Sequence, residues 1–252
     1  MDRCTDVSGR WHGDERRAWL PKSEAPIHSG SRARIRASQE PACDSYFTGR
    51  REYKGYKIKL QYVMHINLGS MQLPLNAATK TFAILSKRGA GKSYTGAVLA
   101  EELHKNNVPF VVFDPIDVWW GLRLAKNGKD KGLPVVVFGL EHADIPLTRD
   151  IGREIAQAIV QENVSCVIST FGMPKIAQRH LIAEFAEELL NINNLPRHVF
   201  IEEAHEFIPQ RVSGALGKTF NAVSNLVVMG RNRGIGVTLI NQRAATINKD
   251  VF

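Results

Sequence analysis

Nine consecutive residues, Ser86-Lys87-Arg88-Gly89-Ala90-Gly91-Lys92-Ser93-Tyr94, bring together the groups that hold a chain of phosphates. They follow an apolar run, Phe82-Ala83-Ile84-Leu85, that reads as a buried strand, and they lead into a segment that reads as a helix. In that order the backbone N–H groups of the turn and of the helix N-terminus surround an anion. Gly89 and Gly91 let the main chain come close with no Cβ in the way. Lys92 sets a positive charge between the β- and γ-phosphates, and the Ser93 hydroxyl takes one position on Mg²⁺. The pattern departs from the usual phosphate loop at its first place, where Ser86 stands instead of glycine. The ligand this loop implies is a nucleoside triphosphate with Mg²⁺.

A second group lies more than a hundred residues on. The segment Arg197-His198-Val199-Phe200-Ile201-Glu202-Glu203 is an apolar strand that ends in two adjacent carboxylates. In phosphoryl transfer to water, one carboxylate completes the metal shell and a second polarises the attacking water, and both stand at a strand end facing the γ-phosphate. Glu202 takes the metal role with Ser93, and Glu203 the water role. Glutamate at the first place is one methylene longer than the commoner aspartate. His205 has no partner at metal-ligand spacing and reads as a capping or packing histidine.

The third group is Gly230-Arg231-Asn232-Arg233-Gly234-Ile235-Gly236, followed by an apolar strand and Asn241-Gln242-Arg243. Gln242 can hydrogen-bond the lytic water or the γ-phosphate. Arg231 and Arg233 form a basic corner suited to a phosphate in a neighbouring subunit's site or to a nucleic-acid backbone.

The elements that must position these groups alternate from about Tyr53 onward. Strands are expected at Thr81 to Leu85, Pro109 to Phe113, Pro134 to Phe138, Val164 to Ile168, His198 to Glu202 and Gly236 to Ile240. Most are unbroken Val, Ile and Phe runs, as in strands covered on both faces. Ile151, Ile155, Ala158 and Ile159 recur at helical spacing, as do Leu181, Phe185 and Leu189. This order argues an α/β fold with a mostly parallel sheet, helices on both faces, and ligands at the carboxyl ends of the strands.

The chain has 252 residues and a formal charge of +8. Met1 to Lys59 hold 13 Lys+Arg against 8 Asp+Glu, so +5 of that charge lies at the N-terminal end. Residues 1–50 have Val7, Leu20, Ile27 and Ile35 as their only branched aliphatics. Such a segment cannot offset the entropy of ordering, so residues 1–55 are expected to be a disordered basic leader. It reads as a solvated tail, a nucleic-acid-binding arm, or an extension upstream of Met64. Residues 56–252 are expected to form the core. No apolar stretch approaches the roughly 20 residues that span a bilayer, so no membrane role and a cytoplasmic location are expected. Cys4, Cys43 and Cys166 make no metal or disulfide spacing.

Taken together, Lys87-Arg88-Gly89-Ala90-Gly91-Lys92-Ser93, Ile201-Glu202-Glu203-Ala204-His205 and Gly234-Ile235-Gly236 running to Asn241-Gln242-Arg243 resemble the HerA/FtsK superfamily of hexameric DNA-translocating ATPases, and within it the HerA-type central domain. The similarity spans roughly Leu73 to Phe252. It implies a P-loop NTPase fold of the RecA-like (ASCE) kind, three-layer α/β/α. It also implies an ATP-hydrolysing DNA translocase or helicase motor, a homo-oligomer in the form of a hexameric ring, double-stranded DNA as partner, and a nuclease or other effector riding with it. The resemblance sets Asp114 close to the nucleotide. It leaves Trp119 and Trp120 beside the base, at a subunit contact, or buried in the core. In the superfamily at least one strand and a helix follow the sensor strand, whereas this chain stops at Phe252. A core incomplete at its C-terminus, with an open sheet edge, is therefore expected.

Two other readings stay open. Lys87 stands five residues before Lys92, the spacing of partition-type ATPases whose extra lysine crosses a two-fold dimer. Arg88 stands where that pattern wants glycine, and the tandem Glu202-Glu203 is foreign to it. A non-catalytic nucleotide-binding scaffold is the other, suggested by Ser86, Glu202 and the short C-terminus. Asn248-Lys249-Asp250 has the wrong spacing for guanine recognition.

Overall fold

The computed structural model of the chain describes residues 47–53, 56–62, 64–212 and 214–251. Of the expected leader, residues 1–46 lie outside the described residues, and residues 47–53 form a strand. In chain order the elements are β1 (Phe47–Tyr53), β2 (Tyr56–Tyr62), β3 (His65–Leu68), β4 (Met71–Pro74), β5 (Thr81–Leu85), α1 (Lys92–Lys105) and β6 (Phe110–Asp114). There follow β7 (Val136–Gly139), β8 (Ile145–Pro146), α2 (Gly152–Gln161), β9 (Cys166–Ser169), α3 (Lys175–Ile192), β10 (Arg197–Ile201), α4 (Gly217–Met229) and β11 (Ile235–Asn241).

Seven strands form one sheet in the order β5-β11-β10-β6-β9-β7-β8, and every pairing is parallel. Period-2 alternation sends successive side chains to opposite faces. On one face Val111, Phe113, Cys166, Ile168, Val199, Ile201, Val237 and Leu239 meet the apolar sides of α2, α3 and α4, including Ile155, Phe185 and Leu226. On the other, Phe110, Val112, Val167, Phe200 and Ile240 meet Leu99 and Leu103 of α1 and Trp119. The result is the expected three-layer α/β/α arrangement around a parallel sheet. The edge strand β5 is the exception to full cover: Thr81, Ala83 and Leu85 are exposed while Phe82 and Ile84 are half-buried.

Two polar devices lock this core. His198 of β10 is wholly buried; its Nδ1 donates to the Ala78 carbonyl at 2.6 Å and its Nε2 accepts from Thr238 Oγ1 at 2.7 Å. Burial lowers its pKa to about 4, so the ring is neutral at pH 7. Arg197, 1 % exposed, donates to the Ile159 carbonyl in the last turn of α2 at 2.9 Å and to the Val164 carbonyl, between α2 and β9, at 3.0 Å.

Two antiparallel hairpins, β1–β2 and β3–β4, stand outside the sheet. The second is tied to α1: the Asn67 N–H donates to Glu102 Oε2 at 2.9 Å, and Ile66 is fully buried in the α1-side core. Lys105, bonded to the same carboxylate, holds the pKa of Glu102 below its ordinary value. Among the described residues no helix is long and apolar enough to cross a membrane.

Candidate active site

The parallel register brings the strand ends into one row. Leu85 of β5 pairs with Asn241 of β11, Leu239 of β11 with Ile201 of β10, and Ile201 with Phe113 of β6. All three motifs therefore emerge at the same end of the sheet. β11 lies between the loop strand and the carboxylate strand, which puts Gln242 between Ser86–Tyr94 and Glu202–Glu203.

The loop from Ser86 to Gly91 turns on Gly89 (φ 76°) and Gly91 (φ 85°). A Cβ at either glycine would meet nothing within 4 Å, so the positive φ is what calls for glycine. Ser86 is half-buried, its Oγ 3.4 Å from the Lys87 carbonyl, while Lys87, Arg88, Gly89 and Ala90 are exposed. Gly91 caps α1, and Lys92, Ser93 and Tyr94 are its first three residues. Their N–H groups lie in the turn that has no intrahelical acceptor. Tyr94 is 76 % exposed. Lys92 is only 9 % exposed, yet among the described residues it has neither a hydrogen bond nor an ion pair. A lysine with no ion pair among the described residues, at the head of a helix whose first N–H groups have no intrahelical acceptor, suits a polyanion.

Glu202 continues the β10 ladder by one rung, its N–H on the Phe113 carbonyl at 3.1 Å. Alternation then turns its side chain, like that of Phe200, toward α1. There Ser93 Oγ donates to Oε1 at 3.2 Å and the Trp119 indole N–H donates to Oε2 at 3.0 Å. Burial raises the Glu202 pKa against these two bonds, and the Asp114 and Glu203 charges push the same way. A hydroxyl and a carboxylate oxygen this close, with a donor on the far oxygen, form an oxygen pair of the kind Mg²⁺ takes.

Glu203 adopts a left-handed conformation (φ 49°, ψ 49°), which swings its side chain out of the strand direction. Its Oε1 accepts from Gln242 Nε2 at 3.3 Å. Its Oε2 stands 3.3 Å from His205 Nδ1, but that proton is directed to Asn241 Oδ1 at 2.8 Å, so the buried Oε2 has no hydrogen bond among the described residues. Asn241 is fixed in turn by donating to the Arg243 carbonyl and to Thr246 Oγ1, both at 2.8 Å. The contact of Gln242 with Glu203 joins the second and third sequence groups at the strand ends. His205 and Asn241 orient this corner, a relation that the sequence did not announce.

The remaining candidates are placed differently. The Asp114 carboxylate accepts three main-chain N–H groups, from Ile116 at 3.0 Å and from Val118 and Trp119 at 2.7 Å each. Burial raises its pKa against those three bonds. It caps the loop that carries Trp119, a coupling between residues 202 and 119 that no local spacing reveals. Arg231 and Arg233 are exposed and precede β11, so they lie at the amino ends of the strands, the far end of the sheet from the loop. The seven residues of β11 separate the two ends by roughly 20 Å. Within one chain they are not brought to the phosphate loop.

Residues 69–119 match the family model described as helicase HerA, central domain. No curated protein sequence matches the chain. Among solved structures, the genome packaging NTPase B204 from Sulfolobus turreted icosahedral virus 2, in complex with ATP-gammaS, is similar at 13 % identity and a TM-score of 0.41, over 69 % of this chain and 70 % of that one. The pCW3 conjugation coupling protein TcpA is similar at 16 % identity and a TM-score of 0.39, over 72 % of this chain and 49 % of that one. The N-terminal domain of zonular occludens toxin from Neisseria meningitidis gives 14 % and 0.33, over 68 % and 71 %. The segment that resembles the HerA central domain runs from Gly69 through the phosphate loop and α1 to Trp119.

Proposed function

We propose that this chain binds and hydrolyses Mg-ATP and is the motor domain of a DNA translocase or helicase. The observation that carries the reading is the convergence of three distant sequence groups on one point: Ser93 on Glu202 at 3.2 Å and Gln242 on Glu203 at 3.3 Å, beside the unpaired Lys92. In this reading Gly89 to Tyr94 and Lys92 hold the phosphates, and Ser93 with Glu202 hold Mg²⁺, which neutralises charge on the transferred group. Glu203 orients and polarises the attacking water, and Gln242 hydrogen-bonds the same region.

The reading extends to assembly. Arg231 and Arg233 stand exposed at the far end of the sheet, so a phosphate they serve belongs to another copy, as in a hexameric ring, or to DNA. Double-stranded DNA and a nuclease or other effector are the partners that the HerA-type likeness suggests, and a cytoplasmic setting belongs to the same reading.

Steady-state ATP hydrolysis with and without double-stranded DNA tests the proposal. Mg²⁺-dependent turnover that rises on adding DNA is expected. Folded protein that binds ATP but never turns it over, with or without DNA, would leave the nucleotide-binding scaffold as the better reading.

A further inference from the structure

We propose that Trp119 is a positioning residue for the metal site: its indole N–H fixes one oxygen of Glu202 so that the other faces Ser93. The inference rests on the reading of Glu202 as a metal-shell carboxylate. A glutamate at this place has one more rotatable bond than an aspartate, so a free side chain would spread over several rotamers. Here both oxygens are assigned. Oε2 takes the indole N–H at 3.0 Å, and Oε1 takes the Ser93 hydroxyl at 3.2 Å. The two donors are not equivalent. A hydroxyl can turn from donating to ligating, whereas an indole N–H only donates and cannot bind a cation. Trp119 therefore holds Oε2 and leaves Oε1 as the oxygen that turns to the metal.

The indole is itself held in place. Trp119 is 3 % exposed, its main-chain N–H is bonded to Asp114 Oδ2 at 2.7 Å, and its ring lies 5.4 Å from that of Phe200. The ring also meets α1, at Gly96. A Cβ there would come 2.7 Å from Trp119 Cη2. The helix that begins with Lys92 and Ser93 is thus seated directly on the ring that orients Glu202. Asp114, Trp119 and Gly96 form one chain of contacts that runs from the β6 end to the carboxylate of Glu202.

A buried tryptophan that merely satisfies its N–H would share this geometry, so the test reads the metal separately from folding and turnover. Manganese binding in the presence of a non-hydrolysable ATP analogue is followed by the electron paramagnetic resonance signal of free Mn²⁺. Nucleotide binding without metal is measured alongside. Trp119→Phe keeps an aromatic ring and loses the N–H. It is expected to weaken Mn²⁺ binding about tenfold or more while metal-free nucleotide affinity changes less than about twofold. Gly96→Ala, which displaces the ring without touching it chemically, is expected to give a similar metal defect and to add little on top of Trp119→Phe. Unchanged Mn²⁺ binding in both variants overturns the inference, as do fully additive losses. Glu202→Gln separates the two levels. If it weakens Mn²⁺ binding and Trp119→Phe does not, only the role of Trp119 fails; if it has no effect, the metal assignment of Glu202 fails with it.

Discussion

Lys92 heads α1 with little of its surface exposed and with no hydrogen bond or ion pair among the described residues. Replacing it with methionine, which keeps the apolar stem, breaks no polar contact of the fold and is therefore expected to leave the nucleotide-free thermal midpoint nearly unchanged. The rise in midpoint on adding ATP should disappear, because the charge that meets the phosphates is gone. A scanning fluorimetry series with and without ATP reads both effects. A Lys92→Met protein still stabilised by ATP like the wild type would remove this residue from the site. At this scale Lys92, Ser93, Glu202 and Glu203 could be picked out from the sequence, since each belongs to a motif with fixed spacing, and the structure brings Ser93 to Glu202. It could not carry Trp119 or Asn241, whose bonds join residues 83 and 36 positions apart and leave no local signature.

Among the elements, β10 and β11 are joined by a polar seam that has a definite pH dependence. His198 is neutral in the fold, with a pKa lowered to about 4 by burial. The unfolded chain takes up a proton near pH 6.5, so the folded state has its full stability from this residue above that value. Stability is then lost as pH falls from about 6.5 toward 4, by roughly 3 kcal/mol at most. Urea midpoints over this range should show that loss, and a His198→Leu variant should show a shallower slope. A slope identical in the two proteins would mean that His198 is not the titrating group.

Gly236 sits in the same seam. A Cβ there would lie 2.1 Å from the Ala78 carbonyl oxygen and 2.6 Å from His198 Nδ1. Gly236→Ala is expected to cost at least about 2 kcal/mol, read from the urea midpoint. The six strands read from the sequence appear within two residues of their expected limits, because buried Val, Ile and Phe runs admit few other placements. The β3–β4 hairpin and the two-residue β8 were not legible: their strands are short, largely exposed and without a run of β-formers. The strand β1 lies within the segment expected to lack order. There the charged Arg50-Arg51-Glu52 obscured a pairing with Tyr56–Tyr62, whose own alternation is clear.

For the whole molecule, the placement of Arg231 and Arg233 at the amino ends of the strands has a consequence for assembly. If they complete a neighbour's site, Arg231→Ala should lower hydrolysis while ATP binding survives. Mixing that variant with Glu203→Gln should recover part of the activity, since one composite site then holds an intact carboxylate and an intact arginine. No recovery in a sample shown to exchange subunits would assign the arginines to DNA or to their own chain. All of this depends on whether the site hydrolyses ATP through Glu203. The most direct measurement is phosphate release by wild type and Glu203→Gln at saturating Mg-ATP, with nucleotide affinity determined on the same samples. A fall of at least about 100-fold in rate, with affinity nearly unchanged, is the predicted result. Equal rates in the two proteins would contradict the account.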